Sequence, residues 1–129
     1  MPEKSTCMCQ GGLRLVFPCS GAADVGAIAD QAARRVSAEG AGKMFCLAGI
    51  GAGIPGIVKT TEAADQVLAI DGCPLACART TLEKAGFTHF DHLCLTDLGL
   101  SKGESPVDEA NIALVASKAT DILQDVGQA

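Results

Sequence analysis

Four cysteines stand where a chain can put thiols to work. Cys73 and Cys77 lie in Asp71-Gly72-Cys73-Pro74-Leu75-Ala76-Cys77, directly after the apolar run Val67-Leu68-Ala69-Ile70, and Cys19 and Cys46 each close another apolar run. Such runs read as buried strands. Cys73-Pro74 then reads as a helix start, because proline is tolerated at the first helical position. Two thiols four residues apart on a helix share one face. A helix start carries unpaired N–H groups and partial positive charge, which favour thiolate, the form that binds metal or attacks an electrophile. Two chemistries follow. One is ligation of a thiophilic metal ion. The other is thiol redox or sulfur transfer, with Cys73 as nucleophile and Cys77 as its resolving partner. Helical spacing suits ligation better than a disulfide, because the two Cβ vectors run nearly parallel.

The elements that must position these thiols alternate between strand and helix. Leu13 to Phe17 reads as a first strand, ending at Pro18-Cys19-Ser20-Gly21. A helix is expected over 22–39, where Val25, Ile28, Ala29, Ala32 and Val36 recur at helical spacing and Gly40 and Gly42 end it. A second strand is expected over 43–48, a glycine-rich loop over 49–56 and a short helix within 57–64. The third strand spans 66–70, the helix opened by Cys73-Pro74 runs to about 85, and His89 to Leu95 reads as a fourth strand. Ser105-Pro106-Val107-Asp108-Glu109 combines a cap, a proline and early acids, and opens a last helix with Ile112, Val115, Ala119, Ile122 and Leu123 on its apolar face. Near-continuous apolar strands between helices imply a three-layer α/β, Rossmann-like fold, with a parallel sheet of about four strands and helices on both faces. Ligands bind such sheets outside the carboxyl ends of the strands, where Cys19, Cys46 and Cys73 all fall. Residues 1–12 read as a flexible arm carrying Cys7-Met8-Cys9, and 13–129 as a single domain.

Composition narrows the function classes. A chain of 129 residues that is 48% apolar is long enough for a real core. Seven cysteines, an odd number, with no apolar signal core near the first residue, make a disulfide framework a poor reading and metal or thiol chemistry a better one. A cytoplasmic address is the expectation. Net charge −5, with no Trp or Tyr, argues against nucleic acid as a partner, and no apolar stretch reaches the length of a membrane span.

Three blocks carry a resemblance: Cys19-Ser20-Gly21-Ala22-Ala23-Asp24-Val25-Gly26, Gly42-Lys43-Met44-Phe45-Cys46-Leu47-Ala48-Gly49, and Ile70-Asp71-Gly72-Cys73-Pro74-Leu75-Ala76-Cys77. In this order they resemble the family described as zinc-binding proteins with the DGC domain, named for a motif standing here as Asp71-Gly72-Cys73. The resemblance runs from about Leu13 to Leu98. It implies four zinc-binding cysteines, mapping to Cys19, Cys46, Cys73 and Cys77, and no defined reaction. Zinc takes four thiolates in a tetrahedron at ~2.3 Å, with about −2 net charge. Helix starts and the N–H groups of the 49–56 loop are expected to offset that charge. A domain of this size should not need metal to fold, so a thiolate cluster at the sheet's ligand-binding edge points to metal handling or sensing rather than to a structural staple. An iron–sulfur electron-transfer module suits four thiolates as well. Whether the chain is an enzyme stays open.

Weaker signals are set aside. Gly51-Ala52-Gly53-Ile54-Pro55-Gly56 matches a dinucleotide fingerprint, with Asp71 about twenty residues on, but Pro55 removes a donor and the following helix is short. Cys73 and Arg79 have the spacing of a cysteine phosphatase loop, without glycines between them to wrap a phosphate. Cys94 reads as core. His89 and His92 are weak ligand candidates, Asp97 follows the fourth strand toward the same crevice, and Asp24 and Asp71 suit support of first ligands.

Overall fold

The computed structural model describes residues 12–128. The arm with Cys7 and Cys9 lies outside them. Four strands, β1 (Arg14–Pro18), β2 (Lys43–Met44), β3 (Gln66–Asp71) and β4 (Asp91–Cys94), form one parallel sheet in the order β2-β1-β3-β4. The helices are α1 (Asp24–Glu39), α2 (Leu47–Ala52), α3 (Pro55–Ala63), α4 (Cys77–Lys84) and α5 (Glu109–Gln128), with a 3₁₀ turn at Leu95–Leu98.

Strand periodicity sorts the core into two layers. Val16, Leu68, Ile70 and Leu93 face α1 and α5, whereas Leu15, Phe17, Val67 and Ala69 face Ile50, Ala78 and Leu82 of α2 and α4. All six residues of β3 are buried, as a central strand with both faces covered requires. The α1–α5 layer is also pinned at its rim, where Arg35 donates two hydrogen bonds to Glu109, at 2.7 and 2.6 Å. The three-layer α/β expectation therefore stands.

Three local expectations change around the thiols, and the last helix, expected from Ser105-Pro106, starts instead at Glu109, with the Asp108 carboxylate accepting from the Asn111 amide at 3.0 Å. The second strand stops at Met44 instead of running to 48, because the Cys46 carbonyl already accepts from the Gly49 and Ile50 amides and starts α2. The expected 49–56 loop is helical, as α2 and the start of α3, with only Gly53 left-handed between them (φ 70°). Its Gly49 lets Ile57 pack against α2, so glycine serves close helix packing there and makes no phosphate cradle. The third change concerns the thiols themselves. The helix expected from Cys73 begins at Cys77. Residues 72–75 form a turn in which the Ala76 amide donates to the Cys73 carbonyl at 3.0 Å, and Ala76 takes a left-handed conformation (φ 53°).

Candidate functional site

Strand order decides where a site can form. The chain leaves β1 for α1 on one face of the sheet and leaves β3 for α4 on the other, yet β1 and β3 are neighbours. Their diverging connections open a crevice between the two carboxyl ends, the place where open α/β sheets bind ligands. The Cys19 amide donates to the Ile70 carbonyl at 2.9 Å and so carries the pairing of β1 and β3 to the crevice mouth. The crevice has a volume of about 290 Å³. Cys19, Cys73 and Cys77 line it together, with Asp71, Gly72 and Lys102 among its other walls. Cys46 is exposed and does not line it. It shares instead a neighbouring cleft of about 490 Å³ with Cys19, Asp30, Arg34 and Thr81.

The residues match a family model for the DGC domain over 15–119. The chain belongs to the DGC domain family. It is also 36% identical over 90 residues to the anaerobic and virulence modulator AnvM of Pseudomonas aeruginosa, covering 70% of this chain and 69% of that one. No solved structure matches.

In this DGC domain each residue of the Asp71-Gly72-Cys73 motif has a separate physical role. Asp71 is 1% exposed. Its carboxylate accepts from the Ala78 amide at 2.7 Å and the Arg79 amide at 3.1 Å, capping the start of α4 in place of the Ala76 cap position, which has no side-chain acceptor. It also bonds His92 Nε2 at 2.8 Å. Gly72 passes so close to α1 that a Cβ would lie 2.8 Å from the Val25 carbonyl carbon. Cys73, half-buried, then enters the crevice wall, and Cys77 follows, exposed, in the first turn of α4.

Two further features of the DGC domain fix this edge. Ser20 and Ala76 are the non-glycine residues with positive φ among the described residues (54° and 53°). One follows Cys19 and the other precedes Cys77. Asp24 clamps the 101–105 loop beside the crevice: its carboxylate accepts from the Gly103 amide at 2.9 Å and the Ser105 amide at 3.1 Å, and from Val25 at 2.8 Å. These bonds, that from Gly103 foremost, hold the Asp24 carboxyl below its usual range. In the neighbouring cleft Asp30 accepts from Arg34 at 2.7 Å and Ser20 at 2.7 Å. Burial raises the Asp30 carboxyl, but the bonds from Arg34 and Ser20 outweigh it and leave it lowered.

The expected residues divide accordingly. Cys19, Cys73 and Cys77 share one crevice with Asp71. Cys94 is buried, as expected for core, and pairs in register with Asp71. His92 reaches Asp71, whereas His89 is exposed and Asp97 lies on the 3₁₀ turn away from the lining residues. Lys102 was not singled out in the sequence. Its only signal there is a cation in a Gly- and Ser-rich loop after the fourth strand, which no local rule distinguishes. Among the described residues, no three His, Cys, Asp or Glu side chains are gathered closely enough to hold a metal ion. The donor chemistry of the crevice suits a thiophilic ion, but the four thiols do not form a ready-made Cys₄ cage.

Proposed function

We propose that this DGC domain is a small regulatory module whose working part is the thiol crevice, and that it takes a thiophilic metal ion, zinc first, through Cys19, Cys73 and Cys77, with Cys46 as the fourth donor. The observation that carries this reading is that three thiols line the crevice opened by the sheet topology, and they must draw closer together to hold an ion. Cys46, in the adjoining cleft, completes the set only when the two clefts close on a ligand. Zinc would supply a fixed positive centre for the thiolates and tie α4 to β1. The residues' own part is to bind and orient. Asp71 keeps the α4 start in place, Gly72 admits the close approach to α1, and Asp24 holds the 101–105 loop. The kinship with a protein named a modulator supports a regulatory role over a metabolic one. No helix among the described residues is long and apolar enough to cross a membrane. A cytoplasmic address, with a metal ion and neither nucleic acid nor membrane as partner, belongs to the same reading.

One observation favours a second reading, thiol exchange between Cys73 and Cys77. The two do not sit on one helix, since a turn and the left-handed Ala76 separate them. The parallel-Cβ objection to a disulfide therefore no longer applies.

Elemental analysis with a visible absorption spectrum on anaerobically purified protein, beside the C73S/C77S double variant, separates these. About one zinc per chain, colourless and lost in the variant, supports the metal module. Iron with a visible chromophore redirects the reading to an iron–sulfur centre. No metal, with fast alkylation of Cys73 or Cys77, replaces it by thiol exchange.

A further inference from the structure

Among the described residues, two charged side chains line the thiol crevice, Asp71 and Lys102. Asp71 is buried and committed to the Ala78 and Arg79 amides and to His92. Lys102 is exposed, and no ion pair engages it among the described residues. Its loop is not free to drift. The Gly103 and Ser105 amides on its carboxyl side are both held by Asp24, and the buried Ser105 hydroxyl bonds the Ser101 amide at 2.9 Å and carbonyl at 3.2 Å. The chain thus places a cation that has no ion pair among the described residues on a doubly clamped loop at the mouth of its thiol crevice. The remaining walls, Ala22, Ala23, Val25 and Leu75 among them, are aliphatic.

We infer that the crevice selects small anionic ligands carrying a thiol-reactive centre, with Lys102 as the specificity-determining residue that pairs with the ligand's carboxylate. This deepens the thiol-crevice reading and rests on it, but does not require a bound metal. The ligand class is a small carboxylated disulfide. A crevice thiolate attacks one sulfur, a protein–ligand S–S bond forms, the ligand's own S–S bond breaks, and the departing thiolate leaves with the electron pair and takes a proton from water. The volume of about 290 Å³ is in the range of a small-molecule site.

A matched pair of reagents tests the charge preference directly. Iodoacetate and iodoacetamide share the reacting carbon and differ by one negative charge. In each case a thiolate forms an S–C bond and iodide leaves. The full-length protein is treated with chelator, its fold checked by circular dichroism, and the rate at each cysteine read by mass spectrometry. The expected result at Cys73 or Cys77 is an iodoacetate-to-iodoacetamide rate ratio about fivefold above that of exposed Cys46, falling toward the Cys46 value in K102Q, kept in K102R, and shrinking with added salt. Equal ratios at all sites, or a ratio unchanged in K102Q, overturn the inference while leaving the thiol crevice intact. No reaction of either reagent at Cys19, Cys73 and Cys77 overturns both, because the crevice is then closed to ligands.

Discussion

Two clefts meet at Cys19, and they differ in what fixes their walls. On the β3 side, the wall is set by groups with no freedom left: a buried carboxylate holding two amides and a histidine, a glycine against the α1 backbone, and a left-handed alanine. On the β2 side, the wall comes from a two-residue strand, a six-residue helix and an Asp30–Arg34 pair whose arginine side chain is 63% exposed. Buried hydrogen-bonded groups resist displacement, whereas an exposed pair contributes little. The β3-side crevice is therefore the preorganised half of the site, and Cys46 is the donor with room to adjust.

Substitutions can break this contrast at graded cost. Asp71→Ala leaves one buried and one part-buried helix-start amide and His92 without their partner, and is expected to destabilise by about 3 kcal/mol in chemical denaturation. Asp30→Ala in the opposite cleft is expected to cost about 0.5 kcal/mol, because its main partner is a solvent-exposed arginine. Gly72→Ala forces a Cβ to within 2.8 Å of the Val25 backbone and is expected to cost about 2 kcal/mol. Equal costs for Asp71→Ala and Asp30→Ala would remove the difference between the two clefts.

A smaller effect separates the clefts by pH. The Asp24 carboxyl is lowered by the loop amides it holds, so its contribution is complete above the ordinary carboxylate pKa and is lost as pH falls through the depressed folded value. Acid titration of stability is expected to show a component that vanishes in Asp24→Asn. Release of the 101–105 loop is expected to lower the iodoacetate preference at the crevice at the same time. One effect carries the opposite sign. Ala76→Gly relieves a left-handed alanine and is expected to stabilise by up to about 1 kcal/mol in thermal melts, whereas the same exchange inside a helix destabilises.

Much of this arrangement was legible in the sequence, and what was not has physical reasons. Cys19 and Cys73, just past their strands, followed from apolar runs, whereas Cys46 takes the cap position of α2 beyond the short β2, and the α1 face followed from the spacing of Val25, Ile28, Ala29, Ala32 and Val36, all buried. The start of α4 was misplaced by four residues because Pro74 suits both a first helical position and a turn. What decides between them is the carboxylate of Asp71, reaching the Ala78 and Arg79 amides seven and eight residues on. The helices within 49–56 were hidden by glycine's poor propensity, which packing of Gly49 against Ile57 overrides. Nothing local announces that β1 and β3 are neighbours, or that Asp24 holds a loop about eighty residues away. The crevice and Lys102 are consequences of those two long-range facts.

The most direct test of the central claim is zinc affinity, measured by competition with a chromophoric chelator under anaerobic conditions, for the wild type and the single variants C19S, C46S, C73S and C77S. The account predicts about one site per chain, weakened most by C19S, C73S and C77S and least by C46S. Tight binding that survives loss of Cys73 and Cys77, or that depends on Cys46 above all, would contradict it.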